Sequence, residues 1–247
     1  MTKNLYLSVV IPAYNEVKRL PETLIDVDTK LSRANYSYEI LVINDGSTDG
    51  TAEMVRRFSH IVKNLRLVDN EKNKGKGGVV KQGMLEARGD YRLFMDADNS
   101  TTVDQFENMI PYLKEGYDVV IGSRDVKGAE LHPAQPFYKR ILGNAGNIFV
   151  QALLLPGVWD TQCGFKCFTG AAAKKVFSLQ RINGWGYDVE ILALSKALGY
   201  RIKEIPVVWV NDLRSKVKLS AYIGVLAETM KVRLWLWQDM YKIKPSK

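Results

Sequence analysis

Residues 7–16 read LSVVIPAYNE, an apolar run (Leu7–Ile11) that stops in a polar turn. A run without polar–apolar alternation is typical of a strand that is buried on both faces of a parallel sheet. The pattern recurs in Glu39–Asn44 (EILVIN), before DGSTDGT, and in Tyr91–Met95 (YRLFM), before DAD. Because parallel sheets bind ligands beyond the carboxyl ends of their strands, we expect the functional site in these polar turns.

Helical stretches separate the strands. The first one repeats apolar residues at spacings of 4, 3 and 4 from Leu20 to Leu31, which is the stripe of an amphipathic helix. Further helices are predicted at Met54–Phe58, Gly78–Ala87 and Phe106–Leu113, and further strands at Leu65–Asp69 and Tyr117–Ile121. This alternation predicts an α/β fold with a Rossmann-like, mainly parallel sheet and helices on both faces.

The second half of the chain is less regular. The segments predicted there are a helix at Phe137–Leu155, a loop at Asp160–Phe168, a helix at Val189–Leu198, a strand at Ile202–Val210 and a helix at Leu219–Tyr241. The chain shows no internal repeat and no low-complexity linker. We therefore expect one domain over residues 1–247, with an amphipathic helix at about 219–241 near its end.

Composition narrows the class of protein. The chain has 247 residues, of which 46% are hydrophobic and 25% charged, as in globular proteins. No export segment and no membrane span is recognisable, so we expect cytoplasmic residence. The net charge of +8 suits anionic lipid head groups and a phosphorylated substrate, and no motif predicts nucleic acid as a partner. Cys163 and Cys167 lack further ligands at zinc spacing and are expected to be reduced thiols.

Asp96 and Asp98 form the DAD turn that follows the predicted fourth strand. Residues two apart in an extended segment point the same way, so these carboxylates can converge. Like charges held together are costly unless a cation bridges them, and hard oxygen ligands suit Mg²⁺ or Mn²⁺. The alternative is that Asp96 is a turn residue and Asp98 a helix N-cap. The other polar turns favour the metal site.

Two further turns carry charged or flexible residues. Asp45 ends the second predicted strand, where it can cap the next helix or accept from a ribose hydroxyl or a base N–H. NKGKGG (residues 73–78) combines glycines, which allow close backbone approach to phosphate, with lysines that neutralise charge; it is otherwise a solvated turn. GxxxxGK[ST] and a GxGxxG after the first strand are both absent, which disfavours a P-loop and a dinucleotide oxidoreductase.

As a set, IPAYNE, NDGSTDGT, NKGKGG, DAD and GSR (Gly122–Arg124) resemble the family 2 glycosyltransferases of GT-A fold, in order and in spacing. Within that family the chain is similar to the polyprenyl-phosphate sugar synthases, which make dolichyl-phosphate glucose or mannose. The segments that resemble the glucose branch are QCGFKCF (Gln162–Phe168), WGYDVEIL (Trp185–Leu192) and VVWVNDLRSKV (Val207–Val217).

The resemblance implies a role for individual residues. Those that would hold the nucleotide are Pro12, Ala13, Tyr14, Glu16, Ile43 and Asp45. Those that would hold the diphosphate and the metal are Lys76, Gly77, Asp96, Ala97 and Asp98, with Asp96 and Asp98 as the metal ligands. Arg124 and Lys216 would bind phosphates. Asn99 and Ser100 stand where the mannose synthases carry glutamine, which leaves a third protein ligand to the metal open.

The expected reaction is an inverting transfer of glucose from UDP-glucose to a polyprenyl or dolichyl phosphate. The acceptor phosphate has a second pKa of about 6, so it is anionic at neutral pH and needs no general base. A GDP-mannose-dependent enzyme is an alternative, although Val210 stands where mannose synthases have arginine. A hydroxyl acceptor is another alternative, with Asp188 as its base. A nucleotidyltransferase and a non-catalytic nucleotide-sugar binder fit the turns less well.

The segment from Leu219 to Tyr241 repeats large apolar residues at spacings of 4, 3, 4, 4, 3 and 4. The members of this stripe are Leu219, Ile223, Leu226, Met230, Leu234, Trp237 and Tyr241. Basic residues surround it, and only Glu228 and Asp239 are acidic after residue 215. This pattern predicts either a helix that lies on the cytoplasmic face of a membrane, as in a peripheral protein, or a helix packed on the protein's own core.

Overall fold

The structure is a computed structural model that describes residues 5–132, 146–210 and 219–243, with side chains of the last helix from residue 223 onward. Its strands are β1 (Leu7–Ala13), β2 (Tyr38–Asp45), β3 (Leu65–Asn70), β4 (Tyr91–Met95), β5 (Val119–Ser123), β6 (Glu130–His132), β7 (Phe165–Thr169), β8 (Ile202–Pro206) and β9 (Val208–Val210). Its α-helices are α1 (Leu20–Leu31), α2 (Thr51–Phe58), α3 (Lys76–Glu86), α4 (Ile110–Lys114), α5 (Gly170–Leu179), α6 (Tyr187–Ala197) and α7 (Leu219–Trp237).

Seven strands form one sheet in the order β3-β2-β1-β4-β7-β5-β8. All neighbours are parallel except β7, which runs antiparallel to both β4 and β5. Strands β6 and β9 pair separately as a short parallel ribbon. The predicted α/β class with a mainly parallel sheet is confirmed.

Helices cover both faces of the sheet, and each face has its own apolar core. One core packs α1, the 3-10 helix Val103–Asn108 and α4 against the sheet, and the other packs α3, α5, α6 and α7. In the second core Gly83 of α3 lies so close to β1 that a Cβ there would be 2.4 Å from Val10 Cγ1. This contact explains a glycine in the middle of a helix, where it otherwise costs about 1 kcal/mol.

Three predicted elements differ from the structure. The helix predicted at Phe106–Leu113 is a 3-10 helix followed by α4, whose first turn contains Pro111. The strand predicted at Ile202–Val210 is two strands, because Ile202–Pro206 pairs with β5 whereas Val208–Val210 pairs with β6. Of the helix predicted at Phe137–Leu155, residues 146–153 are helical and residues 133–145 lie outside the described part.

The main surprise is β7, which begins within the loop predicted at Asp160–Phe168 and inserts between β4 and β5. Its sequence, FKCFT, places Lys166 in the middle of a fully buried strand, and lysine is rarely buried without a partner. Helix α5, which follows directly, was not predicted either. Cys163 precedes this strand and Cys167 lies within it, and both are free, buried thiols.

No helix in the described ranges has both the length and the apolar composition that crossing a bilayer requires.

Candidate functional site

The turns after β1 and β2 are joined by side-chain hydrogen bonds. Asn15, in the left-handed region with φ 55°, donates its N–H to Ser47 Oγ (2.9 Å), and its Oδ1 accepts from the Thr48 N–H (2.8 Å). The N–H of Glu16 donates to Thr51 Oγ1 (2.9 Å). Helix α2 begins directly after the second of these turns, with Gly50 as its N-cap. The two turns therefore form one rigid wall at the carboxyl end of the sheet.

The residues expected at the nucleotide lie at different depths along this wall. Tyr14 is about half exposed, at 49%, so its ring is accessible to a base. Ala13 is buried at the end of β1, and Glu16 forms an ion pair with Arg19. The side chain of Ile43 is fully buried and lies beside Gly83, so the structure does not bring that side chain to the surface of the site.

Asp45 fastens the NKGKGG loop to the end of β2. Its Oδ1 accepts from the Lys74 N–H (2.6 Å), and its main-chain oxygen accepts from Asn73 Nδ2 (3.3 Å). Burial raises the pKa of Asp45, while hydrogen bonds from Lys74 and Gly75 oppose that effect. The side chain is only 2% exposed, so its main role in this structure is to hold the loop from which α3 begins.

Lys76, the first residue of α3, faces the carboxylate of Asp96. Its Nζ lies 2.7 Å from Asp96 Oδ1, and the ring of Trp185 covers it at 5.0 Å from the ring centroid. Burial disfavours the lysine charge, but Asp96 and Asp188 outweigh that and raise the pKa of Lys76. The ammonium is therefore retained next to the DAD turn, at the positive N-terminus of a helix, where phosphate oxygens are favoured.

Asp96 and Asp98 meet beyond β4 as expected from their spacing. Burial, and next the charge of Asp96, raise the pKa of Asp98. Asp98 Oδ1 also accepts from the Ser100 N–H (3.0 Å), so it stabilises the turn as well. Two adjoining hard carboxylates fit a divalent cation. Across the described residues, no group of three or more His, Cys, Asp and Glu side chains is arranged to hold a metal.

Gly164 leaves room for the Asp96 carboxylate. A Cβ on Gly164 would lie 2.0 Å from Asp96 Oδ2, and the main-chain oxygen of Gly164 accepts from the Asp96 N–H (3.1 Å). Only glycine fits at this position while Asp96 stays in place. The QCGFKCF segment thus fixes the position of the first aspartate of DAD.

Asp188 lies in the first turn of α6 and is buried. Lys166 of β7, which is fully buried, places its Nζ 2.5 Å from Asp188 Oδ1 and also donates to the main-chain oxygen of Cys163. Burial raises the pKa of Asp188, and the charges of Lys166 and Lys76 oppose that effect. The carboxylate proposed as a base is therefore half of a buried ion pair.

Arg124 is held in a bidentate ion pair. Its Nε and Nη2 donate to the two oxygens of Asp160 (2.7 and 2.9 Å), its main-chain N–H donates to the same carboxylate, and its guanidinium covers the Trp209 ring at 4.8 Å. Although burial acts in the opposite direction, Arg124 keeps the pKa of Asp160 below its usual range. Lys216, the other expected phosphate ligand, lies outside the described residues.

Sequence reasoning did not identify Gly164, Lys166, Asp160 or Glu228 as residues of the site. Glu228 reaches the site from α7. Lys166 had a local signal, because a lysine between apolar residues needs a buried counterion. Asp160 and Glu228 had none, since their partners Arg124 and Gly186 are 36 and 42 residues away in sequence.

Comparison with known proteins agrees with this geometry. Residues 8–176 match the family model described as glycosyl transferase family 2. A dolichyl-phosphate beta-glucosyltransferase from Dictyostelium discoideum is 39% identical over 256 residues, covering 98% of this chain and 78% of the relative. A protein of the same name from Drosophila melanogaster is 34% identical over 227 residues, covering 87% of this chain and 70% of the relative.

A solved structure supports the fold. Glucosyl-3-phosphoglycerate synthase from Mycobacterium tuberculosis, in complex with Mn²⁺, uridine diphosphate and glucosyl-3-phosphoglycerate, matches with a TM-score of 0.69. The sequence identity is 20%, over 93% of this chain and 80% of that one. At this identity the likeness shows the fold alone, and that fold is the GT-A fold expected from the motifs.

Gly164→Ala tests whether the glycine positions the metal carboxylate. The added methyl group displaces Asp96, so we expect Mn²⁺ affinity, measured by calorimetry with a nucleoside diphosphate present, to fall at least about tenfold. Gly146→Ala is the matched control, because a Cβ at Gly146 meets no atom within 4 Å. Unchanged Mn²⁺ affinity in a folded Gly164→Ala protein would contradict the role given to this residue.

Proposed function

Because this chain belongs to glycosyl transferase family 2, we propose that it transfers glucose from a nucleotide sugar, UDP-glucose in the first instance, to a dolichyl or other polyprenyl phosphate. The observation that carries this proposal is that Lys76 lies beside the DAD carboxylates. It is made in a chain that is 39% identical to a dolichyl-phosphate beta-glucosyltransferase. The enzyme is a nucleotide-sugar-dependent glycosyltransferase, and the reaction inverts the configuration of the transferred sugar.

The donor site is built to receive negative charge. Tyr14 offers an exposed ring to the base at the wall formed by the first two turns. Asp96 and Asp98 would hold Mg²⁺ or Mn²⁺, which when bound neutralises charge on the diphosphate. Lys76 stands beside these carboxylates and stabilises the negative charge that develops as the bond between sugar and diphosphate breaks.

The acceptor is a phosphate in this proposal. A phosphate oxygen attacks the anomeric carbon directly, and it is already ionised near neutral pH because the second pKa of a phosphate monoester is about 6. Asp188 is committed to its ion pair with Lys166, which supports a reaction that needs no general base. Arg124, fixed by Asp160, would orient the acceptor phosphate together with Lys216.

Helix α7 offers a means of reaching a lipid acceptor. Five residues of the predicted stripe are exposed: Ile223, Leu226, Met230, Leu234 and Trp237, at 36–72%. The core side of the helix consists of other residues, among them Thr229 and Val232, and Tyr241 is the one described stripe member that is buried. Most of the described stripe is therefore exposed, while Tyr241 packs on the core.

A broad exposed apolar face with basic neighbours is typical of a helix lying in a membrane surface. Lys231, Arg233 and Lys242 are exposed near the stripe. We therefore propose a peripheral association of α7 with an anionic membrane surface. The cytoplasmic face of that membrane stays a prediction.

Offering donors in parallel tests the reaction. We expect transfer to a polyprenyl phosphate from radiolabelled UDP-glucose in preference to GDP-mannose and UDP-N-acetylglucosamine, with activity lost in chelator and restored by Mn²⁺ or Mg²⁺. Asp98→Asn, which keeps the side-chain shape, should lower turnover at least about a hundredfold, or about 2.7 kcal/mol of transition-state stabilisation. Preference for GDP-mannose would reassign the donor, and full activity in excess chelator would exclude the metal.

Removing the Lys166–Asp188 pair tests whether Asp188 is a base. Asp188→Asn alone leaves the Lys166 ammonium buried without a counterion, at a cost of about 3 kcal/mol in the free energy of unfolding, so a loss of activity would be ambiguous. In the double variant Lys166→Met/Asp188→Asn both charges are absent. We expect it to keep turnover within about tenfold, with a rate that follows acceptor ionisation near pH 6. A folded, donor-binding but inactive double variant would favour a hydroxyl acceptor.

Vesicle binding tests the membrane surface. Deleting residues 231–247 would remove the buried Val232 and Tyr241, so substitutions are preferable. Leu234→Gln/Trp237→Gln should weaken binding to vesicles containing phosphatidylserine at least about tenfold, since burying each side chain contributes about 1.5–3 kcal/mol. Lipid-independent donor hydrolysis should persist, and added salt should weaken binding by the wild type. Ile61→Gln, at another exposed apolar residue, is the control; equal binding by both variants would contradict the proposal.

A further inference from the structure

Helix α7 touches the donor site through one acidic side chain. Glu228 is one of only two acidic residues after residue 215, and it lies on the side of the helix opposite the exposed stripe, with Thr229 and Val232. Its Oε2 accepts from the N–H of Gly186, 2.7 Å away, at the N-cap of α6. A carboxylate is favoured there because the helix N-terminus is positive.

The turn that receives this carboxylate is shaped to fit it. A Cβ on Gly184 would lie 2.6 Å from Glu228 Oε1, and a Cβ on Gly186 would lie 2.6 Å from both Oε2 and Cβ of Glu228. Both positions therefore require glycine while Glu228 is in place. The residue between them is Trp185, whose ring covers the ammonium of Lys76.

The same turn also contacts the start of α3 through its backbone. The Gly77 N–H donates to the main-chain oxygen of Asn183 (2.9 Å), and a Cβ on Gly77 would lie 3.0 Å from the main-chain oxygen of Gly184. Any shift of the turn is thus transmitted to the backbone of Gly77, the residue after Lys76. That lysine lies 2.7 Å from Asp96.

We propose that Glu228 is a positioning residue of the donor site: its carboxylate holds the Gly184–Gly186 turn, and with it Trp185, against Lys76. This inference rests on the proposed function, since it gives Lys76 the diphosphate of a nucleotide sugar as its ligand. It also makes α7 a helix with two separate roles, an exposed apolar stripe on one side and a support for the donor site on the other.

Hydrogen exchange and a double-mutant cycle test the proposal. Glu228→Ala should speed amide exchange at residues 182–187 and leave that of β2 unchanged. The affinity of Glu228→Ala for UDP in the presence of Mn²⁺, measured by calorimetry, should fall about tenfold. In a Lys76→Met background the same change should lower the affinity less than about twofold, because Glu228 acts through Lys76. Glu228→Gln keeps an acceptor oxygen for Gly186 and should retain affinity within about threefold of the wild type.

The control is Glu53→Ala, which removes an exposed helical glutamate paired with Arg57 and should change neither readout. A purely structural role would lower thermal stability in Glu228→Ala without this dependence on Lys76. Equal losses of affinity in both backgrounds, or unchanged exchange at residues 182–187, would overturn the proposal. If neither UDP nor GDP binds the wild type, the proposed function fails, while the exchange experiment still decides whether Glu228 holds the turn.

Discussion

The Asp96 carboxylate at the carboxyl end of β4 imposes the main constraint on the site. It adjoins Asp98, and Asp188 is close enough to act on the same lysine, so three acidic side chains gather where the sheet ends. The protein meets this charge with the ammonium of Lys76, and it leaves space for the carboxylate by placing a glycine, Gly164, against it. Each of these partners comes from a different element. Residues from the second half of the chain therefore help to position the acidic and basic side chains of the first half.

Strand β7 provides the main contacts between the two halves of the chain at the site. It enters antiparallel between β4 and β5, so Gly164 precedes it beside Asp96 and Lys166 within it reaches Asp188. A buried ion pair is a weak source of net stability but is costly to break from one side. Its effect here is to oppose the rise that burial causes in the pKa of Asp188, and to keep that carboxyl group occupied. This ion pair is compatible with an acceptor that is already negatively charged. It gives Asp188 an electrostatic role that does not require proton transfer.

Helix α7 joins the surface of the protein to the site. Its exposed stripe would be an aggregation risk on a free protein unless a membrane or partner covers it. The opposite side is held where Glu228 meets the Gly186 N–H, and just beyond the end of the helix the Tyr241 hydroxyl donates to Glu190 (2.7 Å) in the buried layer. A helix held this firmly keeps one orientation relative to the donor site.

The sequence by itself determined the parallel sheet, the turns that form the site and the apolar stripe of α7, because strand burial, i to i+2 geometry and helical period are local properties. It also placed the DAD turn and the NKGKGG loop at one edge of the sheet, since carboxyl ends of parallel strands share one edge, while Lys76 was named through the family resemblance. Only the tertiary structure decided that β7 is a strand, that Asp188 is neutralised by Lys166, and that Arg124 is held by Asp160. These pairs join residues 22 and 36 positions apart. Whether a buried charge is free or compensated depends on which distant side chain the fold brings within hydrogen-bond distance, and no local pattern encodes that choice.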